Sequence, residues 1–419
     1  MRYWLFLLTG FVVLSPAYAE DKLATKPITL SQVIVNVLEH NPKILAGDYD
    51  ARAAIVRIEQ ARQSLTPLTL ELDLENFAGS GGFSGDDQLE TTLSFAKVLE
   101  FGRKPELRGN VAQHKADLLK SEQDAVKLDL LAEATNRFIH LVLDQDKLKI
   151  VEKKLKLAIA VHEIVEKRVR LGKSPRAEQR RTRISLERAK IELEHSEHEL
   201  LTSRIKLSSM WGSLSPSFTA QGDLYALQEI GTFEQLETLL RKNPDLAQYA
   251  TRARLVSAQL KLARSRGQSD VTLSGGVKHF SETSDTALVL SAKVPLGTSL
   301  RAQAYIDEAQ LLSQKTPLDL EQRRIQLSTS LYALYQETKH ALNAVRVLRE
   351  IIIPEAEQVL RDYKRGYEAG RYSLIELNNA QRLLIEANLE AAVTASNYHQ
   401  SKIEIERLTG SYLARLEKK

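Results

Sequence analysis

The histidine pair His195 and His198 is the part of the sequence that most resembles a metal-binding site. The two residues lie at i and i+3, so both imidazoles could bind one ion from a single helix face. However, His198 continues a row of isoleucines at seven-residue spacing that should face a neighbouring helix: Ile184, Ile191 and Ile205. The surrounding acids are typical of a solvated helix face: Glu194, Glu197 and Glu199. We therefore expect no metal ion here and no bound cofactor.

Other patterns that carry chemistry are missing from the sequence. There is no phosphate-binding loop, no HExxH pair and no readable nucleophile–base arrangement. The 419 residues include no cysteine, which excludes disulfides and thiolate metal sites. The formal net charge of +4 is too small to indicate nucleic acid as a partner. The composition therefore argues against an enzyme and against a nucleic-acid-binding protein.

A secretory signal peptide is predicted at residues 1–19. Arg2 supplies the positive start, an apolar run covers residues 4–14, and Ala17-Tyr18-Ala19 has the small-x-small form of a cleavage site. No later segment has the roughly eighteen continuous apolar residues of a transmembrane helix. If the exported chain enters a membrane, it must do so as strands of a closed barrel.

The chain repeats itself with an offset of about 200 residues. The matching segments keep their order in both halves: His40-Asn41-Pro42 with Lys242-Asn243-Pro244, Ala51-Arg52 with Ala253-Arg254, Ala61-Arg62 with Ala263-Arg264, Ala96-Lys97-Val98 with Ala292-Lys293-Val294, Leu171-Gly172-Lys173 with Ala369-Gly370-Arg371, and Trp211-Gly212 with Thr409-Gly410. Each half opens with one helix, at 30–64 and at 233–266.

This duplication predicts the domain organisation. After the signal peptide at 1–19, the first repeat covers 20–211, with a β-hairpin at 66–98 and a long helical hairpin at 104–211. A linker rich in Ser, Gly and Pro follows at 212–231. The second repeat covers 232–410, with a β-hairpin at 270–296 and a helical hairpin at 299–409, and a short tail covers 411–419.

The first predicted strand, at 67–75, alternates strictly between two kinds of residue, as a strand with two different faces does. Leucines occupy one face and acids the other: Leu68, Leu70, Leu72 and Leu74 against Glu71, Asp73 and Glu75. Similar runs at 88–98, 270–280 and 286–295 have the about 9–11 residues that a tilted strand needs to cross a bilayer. In a membrane Leu70, Leu72, Leu74 and Leu93 would face lipid, and the three acids would face the lumen.

Four strands cannot close a barrel of useful bore, since about eight is near the minimum. An open sheet would leave unpaired edges in lipid, which is prohibitively costly. If the strands lie in a membrane, several subunits must share one barrel. The alternative is two hairpins on a soluble domain.

The length and apolar pattern of the long helices predict that they lie side by side in a wall. Residues 104–171 have Pro105 and Gly109 only in their first turns and could form one helix of roughly 100 Å. The return helix carries two apolar heptad rows on nearly opposite sides, which suits a helix with a neighbour on each side. Gly172 and Gly370 should allow the tight turns of the two hairpins, with Ser174 and Ser373 capping the ascending helices. The expected fold is mainly α with a small β part.

Residues 367–382, which read Y-E-A-G-R-Y-S-L-I-E-L-N-N-A-Q-R, resemble the tip motif of the TolC-type outer membrane efflux family. The Asn-Pro pair near the start of each half is also similar to that family, and the resemblance covers essentially the whole mature chain. It implies a homotrimer in which twelve strands form one outer-membrane barrel and twelve helices form a periplasmic α-barrel. It also implies passive exit of substrate, delivered by an inner-membrane RND-type pump through a periplasmic adaptor.

Residues 99–108, which read L-E-F-G-R-K-P-E-L-R, resemble the heavy-metal, CzcC-like branch of that family. This resemblance implies export of cobalt, zinc, cadmium or copper. One alternative is the same channel role for drugs or other small organic molecules. Another class of function would be a periplasmic adaptor or a secreted coiled-coil structural protein, although two equivalent hairpins argue against an adaptor.

The resemblance also implies a ring of acids that closes the periplasmic end. Glu376 matches the first acid of the tip motif, Asn379 stands where a second acid often lies, and Glu178 has the equivalent place in the first repeat. Such a ring would attract cations. The alternative for Glu178 and Glu376 is exposed charge favoured by a helix N-terminus.

Overall fold

The computed structural model describes residues 26–63, 67–241 and 243–410. The signal peptide predicted at 1–19 and the tail predicted at 411–419 lie outside these residues. The first repeat contains, in chain order, β1 (Lys26–Ile28), α1 (Leu30–His40), α2 (Pro42–Arg62), β2 (Thr69–Glu75), β3 (Glu90–Leu99), α3 (Lys104–Arg170) and α4 (Arg176–Ser208). The second contains β4 (Phe218–Ala220), α5 (Phe233–Leu240), α6 (Pro244–Ser265), β5 (Val271–Phe280), β6 (Asp285–Lys293), α7 (Thr298–Val347), a π-helix (Leu348–Ile352), α8 (Ile353–Glu368) and α9 (Leu374–Leu408).

The prediction of one opening helix in each repeat is wrong, because both helices break at the Asn-Pro pairs. Asn41 is the N-cap of α2, and its Oδ1 accepts a hydrogen bond from the Lys43 backbone N at 2.9 Å. Its Nδ2 donates to Met210 O, just beyond α4, at 2.7 Å. Asn243 does the same in the second repeat, donating to Leu408 O at 2.6 Å. Both asparagines are buried. Asn41 thus links the end of α4 to the start of α2, and Asn243 links the end of α9 to the start of α6.

The segment between the repeats is more ordered than a Ser/Gly/Pro-rich linker. Within it, β4 pairs in parallel with β1, with Ala220 opposite Ile28. Gln145 on α3 bonds both backbone polar groups of Ala220, accepting from its N at 2.7 Å and donating to its O at 3.0 Å. Leu224 is buried in the same core as Val33 of α1. This segment therefore packs against the middle of the helices.

The long helices lie side by side in a wall. α3 packs against α2, α4, α6 and α9, and α7 packs against α6 and α9. Because α2 continues from the end of α4 and α6 from the end of α9, the order across the wall is α2/α4, α3, α6/α9, α7. The α2/α4 column and α7 form the two edges. No helix in the described ranges is long and apolar enough to span a membrane.

Four strands form one antiparallel sheet in the order β2-β3-β5-β6. Leu72 lies opposite Leu93, and across the remaining strands the same row continues with Val277 and Leu288. The adjacent row contains Asp73, Thr92, Lys278 and Ala287. Because paired residues point to the same side, one face of the sheet is mainly apolar and the other mainly polar. β2 and β6 are the edge strands.

A buried ion pair links the sheet to the helices. Arg108, in the second turn of α3, forms a salt bridge with Glu100, and the two side chains are only 16% and 7% exposed. The guanidinium also donates to Ala61 O at 3.2 Å and to Gln63 O at 2.9 Å, at the end of α2. One side chain thus joins the end of β3, the start of α3 and the end of α2.

A second cation from the same segment fastens the start of β5. Lys104 Nζ donates to Gln268 O and to Asp270 Oδ1, both at 2.7 Å. Asp270 Oδ1 also accepts from the Phe101 backbone N at 3.0 Å. Residues 99–108, which resemble the heavy-metal branch, therefore have a structural role at the junction of strands and helices.

Candidate functional site at the hairpin tips

The two helical hairpins end in turns that each need a glycine. Gly172, between α3 and α4, has φ 71°, and Gly370, between α8 and α9, has φ 77°. A residue with a Cβ is strained in this left-handed region, whereas glycine is not. The two turns stand at equivalent places in the two repeats.

Ser373 and Glu376 form a capping box at the start of α9. Ser373 Oγ accepts from the Glu376 backbone N at 3.3 Å, and Glu376 Oε2 accepts from the Ser373 backbone N at 2.8 Å. The backbone bond, followed by the bond from the Ser373 hydroxyl, lowers the pKa of the Glu376 carboxyl. The Ser-x-x-Glu spacing is the signal for this role, which sequence analysis did not assign to Glu376.

The prediction that Ser174 caps α4 is wrong. α4 begins at Arg176 and its N-cap residue is Pro175, without a side-chain cap. Ser174 is therefore one residue too early for its hydroxyl to cap α4. Instead, its Oγ accepts from Arg168 Nε at 3.1 Å.

Three side chains join the two hairpins at their tips, and we call this set the tip contact: Arg168, Glu178 and Tyr367. Tyr367 is 2% exposed, and its hydroxyl donates to Glu178 Oε2 at 2.9 Å. Arg168 Nη1 donates to Tyr367 O at 2.7 Å and to Glu368 O at 3.2 Å. The same guanidinium lies 4.8 Å from the centroid of the Tyr367 ring. Arg168 of the first hairpin thus caps the last carbonyls of α8 in the second.

Burial raises the pKa of the Tyr367 hydroxyl; a hydrogen bond with Ser174 opposes this, and the one to Glu178 adds to it. The hydroxyl is therefore protonated at neutral pH and acts as a donor. The sequence alone indicates no role for Arg168 or Tyr367. Tyr367 was at least within the tip motif, but no local pattern distinguishes Arg168 from its cationic neighbours.

Glu376 and Asn379 line one open groove on the second hairpin, together with Tyr363 and Glu386. Asn379 is exposed, and its Oδ1 accepts from Arg382 at 3.4 Å. The structure therefore places these two candidates together, whereas Glu178 belongs to the separate tip contact.

The acids predicted for the lumen, Glu71, Asp73 and Glu75, share the polar face of the sheet. Glu75 forms a salt bridge with Lys278 at 2.8 Å, and Lys278 also pairs with Glu90. Glu71 and Asp73 are exposed. On the polar face, the end of the sheet near Glu75 therefore has ion-paired acids, and the part near Glu71 and Asp73 has exposed negative charge.

The histidines considered as metal ligands point into solvent. His195 and His198 are each about 70% exposed, and their imidazoles lie 3.5 Å from Glu199 and 3.8 Å from Glu194. Across the described ranges, no three His, Cys, Asp or Glu side chains are arranged to hold a metal ion.

Both edges of the wall expose apolar rows. On α4 the row is Ile184, Ile191 and Ile205. On α7 the row, at seven-residue spacing, is Leu311, Leu318, Ile325 and Tyr332. Ile191 is 67% and Leu318 70% exposed. Exposed apolar rows of this length mark surfaces that contact another protein or a membrane.

Comparison with known proteins identifies related chains. The family model described as outer membrane efflux protein matches residues 33–213 and 236–411. The cobalt-zinc-cadmium resistance protein CzcC of Cupriavidus metallidurans is 27% identical over 331 residues, 78% of this chain and 79% of that protein. The pyoverdine export outer membrane protein OpmQ of Pseudomonas putida is 25% identical over 394 residues, 87% of this chain and 83% of that protein.

A solved structure has the same fold. The crystal structure of CusC has a TM-score of 0.77 and 17% sequence identity, and the match covers 92% of this chain and 93% of that one.

Proposed function

The chain belongs to the outer membrane efflux protein family, and we propose that it is the exit duct of a pump for heavy-metal cations. It is an outer-membrane efflux channel with a large periplasmic helical part. Members of the family act with periplasmic adaptors and inner-membrane RND pumps, and we propose the same two kinds of partner here. The role is transport, which needs no catalytic residue.

The similarity to CzcC, named for cobalt, zinc and cadmium resistance, carries the proposal of a metal substrate. The exposed carboxylates of Glu71 and Asp73 support it, since acids in a pore favour cations. OpmQ, named for pyoverdine export, keeps small organic molecules as the second candidate.

A deletion strain tests the substrate. Cells that lack the chain should accumulate more cobalt, zinc, cadmium or copper, measured one ion at a time, and the intact gene should restore export. Unchanged metal contents together with higher retention of a dye or siderophore would contradict the metal proposal in favour of the organic one.

We propose that three copies close the wall and the sheet into rings. The two edges of the wall differ from each other, so copies would join head to tail, and with a rotation of one third of a turn between copies three of them close a ring. The sheet has the same property, because β2 and β6 are edge strands with unpaired backbone groups. The apolar rows on α4 and α7 would then be covered by neighbouring copies.

Ile191→Asp should prevent this assembly, because it places a charge in the apolar row of α4. We expect the trimer to dissociate to monomers in mild detergent, measured by native mass spectrometry. Leu214→Asp is the matched control, since Leu214 is 71% exposed on the inter-repeat segment and belongs to neither row. An intact trimer with Ile191→Asp would place that row outside the subunit interface.

We propose that the tip contact holds the periplasmic end closed, because it ties the two hairpins together where they end. Tyr367→Phe removes the hydrogen bond to Glu178 and keeps the ring. A hydrogen bond to a charged group contributes about 1.5–3 kcal/mol, so the open population should rise about tenfold or more. Single-channel recordings should show longer openings. Tyr363→Phe, whose hydroxyl has no hydrogen bond within the described chain, should behave like the parent, and identical recordings from both variants would remove the tip contact from the gate.

We also propose that the Glu376 carboxylates, with Asn379 beside them, make the narrow end negative. Glu376→Gln keeps the capping box, because Gln fits its acid position, and removes the charge. Glu376→Ala removes both. Both variants should show weaker cation selectivity, and Glu376→Ala should lose more helix stability than Glu376→Gln, which keeps an acceptor for the capping box. Because the folded pKa of Glu376 is lowered, the charged cap stabilises at neutral pH and is lost as pH falls through that pKa. Parent-like selectivity in both variants would assign Glu376 to the cap alone.

A further inference from the structure

Lys97 is a charged residue on the apolar face of the sheet. In β3 its side chain lies on the same side as those of Leu93 and Phe95, four and two residues away. Across the next strands its row continues with Leu273 and Ala292. Among the residues of β2, β3, β5 and β6, this face contains no other Lys, Arg, Asp or Glu. One cation thus stands on a surface that is otherwise suited to lipid.

The ammonium group of Lys97 has no partner within the described ranges of the chain. The side chain is exposed, and its Nζ forms neither an ion pair nor a hydrogen bond there. Two acids at this junction of strands and helices are already engaged, since Glu100 pairs with Arg108 and Asp270 with Lys104. The charge of Lys97 is therefore free to bind a group outside the protomer.

The position of Lys97 along β3 corresponds to the edge of a membrane. It lies four residues from Leu93, a distance of about 13 Å along a strand. The apolar band of an outer-membrane barrel is about 25 Å tall, and its strands are tilted by about 35–45°. If Leu93 lies near the middle of the bilayer, Lys97 lies roughly 10 Å from the middle, and its long side chain reaches the headgroups.

The two ends of the sheet differ in charge. At the end near the helices, the segment 293–301 contains Lys293 and Arg301 and no acid. At the opposite end, the strand connections 76–89 and 281–284 contain acids and neither Lys nor Arg. An anionic headgroup is therefore attracted to the end near the helices and repelled from the other end.

We propose that Lys97 binds the phosphate of an anionic phospholipid, such as phosphatidylglycerol, in the leaflet on the helix side of the membrane. This inference rests on the proposed function as an outer-membrane channel. The ammonium group donates hydrogen bonds to phosphate oxygens and pairs with them as a point charge. Leu99 and Leu273, on the same face, would contact the acyl chains. The competing partner is a carboxylate of a neighbouring copy, and trimer yield distinguishes the two.

Lys293 is the matched control for Lys97. Both residues are exposed at the same end of the sheet, but Lys293 lies opposite Thr272 on the polar face. The variants are Lys97→Gln, Lys97→Leu and Lys97→Arg, with Lys293→Gln as the control. Each full trimer is reconstituted in phosphatidylcholine vesicles. Electron paramagnetic resonance then measures the binding of spin-labelled phosphatidylglycerol relative to spin-labelled phosphatidylcholine.

We expect the parent, Lys97→Arg and Lys293→Gln to prefer phosphatidylglycerol. The preference should fall about fivefold in Lys97→Gln and Lys97→Leu, the factor expected for one cation at an anionic membrane surface. Added salt should weaken the preference of the parent. Lys97→Leu should also assemble as much trimer as the parent, because leucine is favourable against lipid.

An unchanged preference in Lys97→Leu, or an equal fall in Lys293→Gln, would overturn the proposal. Loss of the trimer in Lys97→Leu would also overturn it, by assigning the lysine to a contact between copies. Conductance in a planar bilayer tests the channel separately. A parent that conducts without preferring phosphatidylglycerol contradicts only the lipid site, whereas a parent that prefers this lipid and does not conduct contradicts the channel.

Discussion

Arg108→Ala should lower the free energy of unfolding by about 3–5 kcal/mol, because it removes the guanidinium that neutralises the buried Glu100 carboxylate. The substitution also removes the donor to Ala61 O and Gln63 O. Urea unfolding of the detergent-solubilised protein, followed by circular dichroism, measures the change. Because Arg108 lies where strands meet helices, we also expect less protein assembled in the outer membrane.

Arg324→Ala is the matched control for Arg108→Ala. Arg324 pairs with Glu321 on the surface of α7, where both side chains are more than half exposed. Solvent screens an exposed pair of this kind, so Arg324→Ala should leave the free energy of unfolding nearly unchanged. Equal stability losses in the two variants would contradict the structural role of Arg108.

Leu72→Arg should cost about 2–4 kcal/mol if Leu72 lies near the middle of the bilayer, because the guanidinium would enter lipid. Leu72 lies opposite Leu93 on the apolar face, and both are exposed in the protomer. The measurement is the amount of heat-resistant trimer in outer-membrane fractions.

Glu71→Arg provides the comparison on the opposite face, one residue away. Facing the lumen, its guanidinium would remain hydrated, so assembly should be close to that of the parent. If Leu72→Arg and Glu71→Arg assemble equally well, the two faces do not separate lipid from water, and this strand lies elsewhere.

Local periodicity was enough to predict the strands and the long helices. The alternation around Leu72 has a period of two, and the structure places β2 within that run. The region from Lys104 to Arg170 has no interior Gly or Pro beyond its first turns, and it forms one helix. In both regions each residue is governed mainly by its immediate neighbours.

Contacts between distant residues could not be predicted in this way. Asn41 bonds to the carbonyl of Met210, and no local pattern indicates that these two helix ends meet. The tip contact likewise joins Glu178 to Tyr367, which lie in different repeats. The capping box of Glu376 follows from its Ser-x-x-Glu spacing, a local pattern, whereas its predicted place at the pore rested on the family resemblance.

The most direct test of the account is single-channel recording from the purified protein in a planar lipid bilayer. A channel built from several copies predicts discrete conductance steps, preference for cations over anions, and loss of both with Ile191→Asp. Protein that incorporates as a monomer, or that produces no conductance steps even with Tyr367→Phe, would contradict an efflux channel.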